Sequence, residues 1–331
     1  MRRREFISLV GSAVAAWPTL PQAAPAGPPK RRIGAMLIYA DNNPEGHRAR
    51  EVFEKSLQRL GWKLGQNLEI DYRTGIGQPE TARQAVADLL ASKPDLIFAN
   101  SVAATQAAKE ATRDIPVVFN GVSEPVSLGF VASLSHPGGN ITGFSNFEPS
   151  IGGKWIELLK AIAPQASHVE VMFNPNSTRI AAQFITAIQS AAPKFGLTSS
   201  EAVVQQSGDI GVAMERLGAQ TGGALLTLPD TFLNLYSKQI VDLEMRWHLP
   251  AMHPFRYFVD EGSLMSYGPD LVEQFQQAAV YVDKVFRGEK PADLPVQQPT
   301  KFNFVINARA AKALGLDVPP ALLATADEVI E

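Results

Sequence analysis

The stretch IGAMLIYADNNPEGHRAREVFEKSLQRLGWKLGQNLEIDY, residues 33 to 72, decides the fold. It opens with an unbroken apolar run, Ile33 to Tyr39, the pattern of a strand covered on both faces. Phe53, Leu57 and Leu60 then fall at i, i+4 and i+7, one face of a helix that stops at Gly61. Leu68 to Tyr72 returns as a strand. A strand, a helix and another strand in so short a span form a right-handed crossover, the building block of a parallel sheet.

The unit recurs along the chain. A helix at Glu80 to Ala91, a strand at Asp95 to Ala99, a helix at Ala103 to Thr112 and a strand at Ile115 to Phe119 complete a first series. After Pro149, Trp155, Leu158, Leu159 and Ile162 share a helical face that Pro164 terminates. Strands at Val169 to Phe173, Ala202 to Val204, Ala224 to Leu228 and Pro250 to Met252 follow. They alternate with helices at Ile180 to Ala192, near Ile210 to Leu217, and through Ile240, Leu243 and Trp247. The pattern predicts an α/β chain of two doubly wound parallel-sheet lobes.

The last part begins with an apolar helical stripe through Val272, Phe275, Ala279, Val282 and Phe286. Pro291, Pro295 and Pro299 then precede a strand at Lys301 to Ile306. These pieces follow two complete series, so they are expected to cross back between lobes as a multi-strand hinge. The expected N-terminal lobe is 33–145 plus about 268–295, and the C-terminal lobe 146–267 plus about 296–331.

Composition narrows function. The 331 residues are 45% hydrophobic and 19% charged, enough apolar content for packed cores, and the length suits two domains. A net charge of −3 with no interior basic stripe argues against a nucleic-acid partner. The absence of cysteine removes thiol nucleophiles, cysteine-ligated zinc, iron–sulfur clusters and disulfides. Residues 1 to 26 read as a signal peptide: Arg2 to Arg4 are basic, Ile7 to Trp17 is a short apolar run, and Ala24-Pro25-Ala26 suits cleavage. Arg3-Arg4-Glu5-Phe6-Ile7 resembles the twin-arginine export pattern, which implies an exported, periplasmic protein.

Catalytic motifs are missing. The sequence holds no G-x-x-x-x-G-K-[ST] loop, no H-E-x-x-H and no G-x-S-x-G elbow. Gly75-Ile76-Gly77 lacks the third glycine of a dinucleotide fingerprint and reads as a turn before a helix. The histidines never fall at i, i+3 or i+4 spacing, so neither a metal nor a cofactor is expected.

In open α/β sheets, ligands sit beyond the carboxyl ends of the strands, where helix N-termini present free N–H groups. Those positions carry Tyr39, then Asn100-Ser101-Val102, Asn120 to Glu124, Asn174 to Ser177, Pro229-Asp230 and Pro254-Phe255. Hydroxyls, amides, a few aromatics and one acid suit a small polar ligand with a carboxylate. Each position has a plainer reading. Ser101 can cap a helix, Asn174 can shape a turn, and Tyr39, Phe255 and Tyr267 can pack at the hinge. Asp230 can cap its helix or pair with a ligand amine; in the second case its removal would weaken binding and leave the fold intact.

Three segments then carry a resemblance: VVFNGVSEPVSLGFVASLSHPGGNIT at Val117 to Thr142, LMSYGPD at Leu264 to Asp270, and PADLPVQQPTKFNFVINARAAKALG at Pro291 to Gly315. They resemble ABC transporter substrate-binding proteins of the tryptophan/tyrosine type, and Pro137 to Gly143 is the most specific element. The resemblance implies the type I periplasmic binding protein fold, with ligand trapped between two closing lobes joined by three segments. Carried over by position, Ser101, Val102, Ser123, Asn174, Asp230 and Tyr267 would face that ligand; Tyr39, Asn120 and Phe255 join them from the strand-end reading. The chain departs from the family pattern at Ser101-Val102-Ala103 and at Glu124-Pro125. The implied function is non-enzymatic capture of a small organic solute, such as an amino acid or aromatic compound, for an ABC permease in the inner membrane, by a monomer. The alternative is a ligand-sensing periplasmic subunit that signals to a membrane sensor.

Overall fold

The computed structural model describes residues 30–178 and 180–331; the expected leader at residues 1 to 26 lies outside them. The first series forms β1 (Arg31–Leu37), α1 (Pro44–Arg59), β2 (Leu68–Arg73), α2 (Pro79–Ala91), β3 (Leu96–Asn100), α3 (Val102–Ala111), β4 (Val117–Val122) and β5 (Ile141–Ser145). Its five strands are all parallel, in the order β2-β1-β3-β4-β5. The crossover order places β1 inside the sheet, between β2 and β3, and Ile33, Ala35, Met36 and Leu37 are fully enclosed, as an apolar run covered on both faces requires.

The second series forms α4 (Gly152–Ile162), β6 (His168–Phe173), α5 (Ala181–Ala191), β7 (Thr198–Val203), α6 (Ser207–Gly218), β8 (Gly223–Thr227), α7 (Thr231–Leu235), α8 (Ser237–Trp247), β9 (Ala251–His253) and α9 (Tyr257–Asp260). Then come β10 (Met265–Pro269), α10 (Leu271–Phe286), β11 (Phe302–Asn307), α11 (Ala308–Ala313), α12 (Pro320–Thr325) and β12 (Glu328–Ile330). The second sheet runs β12-β11-β10-β9-β8-β6-β7. These are the two doubly wound lobes that the alternation predicts. One pair departs from the parallel expectation: β10 and β11 run antiparallel, with Tyr267 opposite Phe304. The chain reaches β11 through the proline segment rather than a helical crossover, so no parallel direction is imposed on it.

Helix α10 packs on the first sheet. Phe98 of β3 stacks on Phe53 of α1 at 4.6 Å and meets Phe275 of α10 edge-on at 5.8 Å, so both helices cover one face. The chain therefore passes between the lobes three times: after β5, between β10 and α10, and before β11. The crossings are bonded to each other. Ser145 N donates to the Gln297 carbonyl at 2.8 Å, and Gln274 Nε2 donates to the Ser145 carbonyl at 2.9 Å.

The Pro137 to Gly143 motif stitches β5 into place. Asn140 Nδ2 donates to the Ile115 carbonyl at 2.7 Å, and Thr142 Oγ1 to the Leu294 carbonyl at 2.6 Å. Gly143 takes φ 155°, and a Cβ there would lie 2.1 Å from the Phe119 carbonyl oxygen, so β4 and β5 can approach only with glycine at this position.

Candidate ligand-binding site

The loops beyond the strand ends of the two sheets enclose a cavity of about 560 Å³, counting its open part. Its N-terminal-lobe wall holds Ile38, Tyr39, Asn100, Ser101, Val102, Gly121 and Ser123, and Asn146 and Leu271 come from the hinge. The opposite wall holds Ser177, Pro229, Asp230, Thr231, Asn234, Phe255 and Tyr257. An adjoining pocket of about 490 Å³ shares Val102, Ser177 and Thr231 and continues outward between α2, α3 and Asn176.

The N-terminal-lobe wall is rich in donors. Ser101 caps α3: its hydroxyl accepts from Ala104 N at 3.1 Å and donates to the Ile76 carbonyl at 3.2 Å. Capping leaves the Val102 and Ala103 amides without intrahelical partners at the positive end of the helix dipole. Asn146 Oδ1 accepts from the Ser123 hydroxyl at 2.7 Å and from Phe147 N at 3.0 Å, which leaves its Nδ2 as the outward donor. Gly121 takes φ 75°; a Cβ there would lie 3.5 Å from Asn100 Nδ2 and 4.0 Å from Asn146 Nδ2. The missing side chain keeps both amides open to the cavity.

The opposite wall is organised by Asp230. Its Oδ2 accepts from Asn174 N at 2.6 Å and from the Thr178 hydroxyl at 2.7 Å. Its Oδ1 accepts from Phe232 N at 2.7 Å, from Leu233 N at 3.2 Å and from the Ser177 hydroxyl. A carboxylate offers about four lone-pair sites, and here five protein donors fill them. Burial pushes the Asp230 pKa above the usual carboxylate value, against the pull of the donors. Asp230 is thus a helix cap that ties the loop after β6 to the loop after β8, and its oxygens hold nothing back for a ligand amine. Its removal would leave these donors unpaired, which goes against the expectation of an intact fold.

Beneath that wall lies a buried polar chain. His253 Nε2 lies 2.9 Å from Glu244 Oε1, His253 Nδ1 bonds Thr227 Oγ1 at 2.8 Å, and the Ser263 hydroxyl donates to Glu244 Oε2 at 2.6 Å. The His253 ring stacks on Phe258 at 4.1 Å. The chain fixes the segment that carries Phe255 and Tyr257 into the cavity. Tyr257 stacks on Phe255 at 5.5 Å and on Phe258 at 5.0 Å. Its hydroxyl is buried and has no partner among the described residues. Burial raises its pKa well above the ordinary tyrosine value, and Tyr39, Glu261, Asp230 and Glu45 raise it further. Tyr257 is therefore a neutral hydroxyl.

Of the expected residues, the cavity brings together Tyr39, Ser101, Val102, Ser123, Asp230 and Phe255. Three fall elsewhere. Asn120 is fully enclosed in β4, and its carbonyl accepts from Asn100 Nδ2 at 3.4 Å. Asn174 is buried behind Asp230, with its Oδ1 taken by Asn176 N at 2.8 Å. Tyr267 lies in β10, where its ring stacks on Phe302 at 5.6 Å and its carbonyl accepts from Trp155 Nε1 at 2.8 Å. The sequence reading missed Asn146, Asn234, Tyr257 and Leu271, which reach the cavity only through the hinge and the short helices. Among the described residues, no cluster of three or more His, Cys, Asp or Glu is placed to hold a metal ion.

Two α/β lobes joined by three crossings, with a cavity between them, define a two-lobed solute-binding protein of the type I periplasmic binding class. Residues 42–330 match the family model described as ABC transporter substrate binding protein, and the chain belongs to that family. The family is one of substrate binding, so the chain is a binding protein and not an enzyme. It is 29% identical over 288 residues to a tyrosine-binding protein of Clostridioides difficile, covering 87% of this chain and 81% of that protein. Among solved structures, a conserved domain protein from Vibrio cholerae is 28% identical with a TM-score of 0.83, over 91% of this chain and 99% of that one. An ABC domain from Streptococcus pneumonia, solved in complex with L-Trp, has a TM-score of 0.83 at 24% identity, covering 91% and 100% of the two chains.

Proposed function

We propose that this protein captures an α-amino acid with an aromatic side chain between its lobes and delivers it to the permease of an ABC importer. The carrying observation is the polarity of the cavity. One wall presents donors, namely the α3 N-terminal amides, Asn100 Nδ2 and Asn146 Nδ2, which suit a carboxylate. The other wall carries Tyr257, whose buried hydroxyl has no partner among the described residues and can accept from an ammonium. Tyr39, Phe255 and Tyr257 add aromatic surface for a ring. The tyrosine-binding relative and the L-Trp complex support the same class.

Binding that touches both walls stabilises the closed form, and the closed form is what the permease reads. The signal-like pattern of residues 1 to 26 supports export to the periplasm as the setting for this cycle. Isothermal calorimetry of the mature chain against the L-amino acids tests the reading. One-to-one binding confined to tyrosine, tryptophan or phenylalanine is the expected result; no binding to any of them contradicts it.

A further inference from the structure

Asp230 is the acid that a ligand ammonium would be expected to meet, and it is already saturated by five protein donors. The acceptor must come from elsewhere on that wall. Tyr257 lies on it, more than nine-tenths buried, and among the described residues its hydroxyl has no hydrogen-bond partner. A buried hydroxyl left unpaired is costly, so such a group in a residue that lines a cavity marks the place of a missing partner.

We propose that the Tyr257 hydroxyl, not the Asp230 carboxylate, accepts the hydrogen bond from the ligand's ammonium. This inference rests on the amino-acid reading above and assigns the amine end of that ligand. The hydroxyl oxygen has two lone pairs to receive an N–H, and the ring is held in place by its stacking on Phe255 and Phe258. Asp230 then acts as a positioning residue: it holds the wall through the loops after β6 and β8.

The test compares L-tyrosine, L-phenylalanine and 3-(4-hydroxyphenyl)propanoate, which is L-tyrosine without its amine, by calorimetry on the mature wild-type chain and on Tyr257→Phe. Wild type should bind L-tyrosine at least about tenfold more tightly than the desamino acid, the size of one charge-assisted hydrogen bond. In Tyr257→Phe that preference should fall to within about threefold, while affinity for the desamino acid and the melting temperature of the free protein stay near wild type. An unchanged preference for L-tyrosine over the desamino acid overturns the assignment. So does a variant that instead erases the difference between L-tyrosine and L-phenylalanine, since the hydroxyl would then face the side chain. Equal weakening of all ligands also overturns it, as the mark of a structural role. A wild-type chain that binds none of the three overturns the amino-acid reading itself, and the Tyr257 assignment with it.

Discussion

The Thr231 hydroxyl at the start of α7 donates a 3.0 Å hydrogen bond to the Gly77 carbonyl in the other lobe. The same glycine turn receives the Ser101 hydroxyl at Ile76, and Leu235 packs so near Gly77 that a Cβ would lie 3.2 Å from its Cδ1. A residue that caps the ligand-facing helix and a residue of the opposite lobe thus bind consecutive carbonyls of one turn. This direct bond across the cleft favours closure.

Thr231→Val keeps the shape and removes the donor. It should weaken ligand binding about two- to tenfold, the net worth of one hydrogen bond, and leave the melting temperature of the free protein almost unchanged. Titration calorimetry beside thermal unfolding separates the two effects.

Asp230→Ala should destabilise the free protein by about 3 kcal/mol, because it leaves several buried donors unpaired. Denaturant unfolding without ligand measures this. Asp230→Asn should be milder, since the amide keeps one acceptor oxygen for the donors around it.

Removing the Glu244 carboxylate leaves the Ser263 hydroxyl unpaired in the core. Glu244→Leu should cost roughly 1–3 kcal/mol. His253 would also lose its orientation, so the loop bearing Phe255 and Tyr257 should loosen. Hydrogen exchange across residues 253–258 should rise in that variant and remain low in wild type.

Gly268 sits where β10 passes the loop after β9, and a Cβ there would lie 1.7 Å from the Pro254 carbonyl oxygen. Backbone cannot yield as a flexible side chain can. Gly268→Ala should therefore lower stability by more than about 3 kcal/mol, seen as a falling denaturation midpoint.

The fold was legible because most of its strands are buried on both faces. Such strands read as apolar runs, and β1, β3, β6 and β8 lie where those runs lie. What escaped is physically different. β5 is the polar, glycine-bearing segment ITGFS, held by Thr142 and by the close approach of Gly143 rather than by an apolar pattern. β12 is three residues long with an exposed Glu328, too short for any periodicity.

Legibility in the cavity followed the same logic. Tyr39, Ser101 and Ser123 stand at strand ends, where the topology of the sheet alone points toward a ligand. Tyr257 lies two residues beyond Phe255 on a four-residue helix, and nothing local marks it until the His253 network aims that segment inward. Asn174 and Tyr267 have suitable chemistry at suitable positions. Asp230 and Phe302, their tertiary partners, draw them out of the cavity.

Small-angle scattering of the mature chain during titration with L-tyrosine or L-tryptophan tests the capture claim most directly. The account predicts a saturable fall in radius of gyration at one equivalent, with the amino acid recovered chemically unchanged afterwards. A radius indifferent to either ligand, or recovery of a converted product, would contradict it.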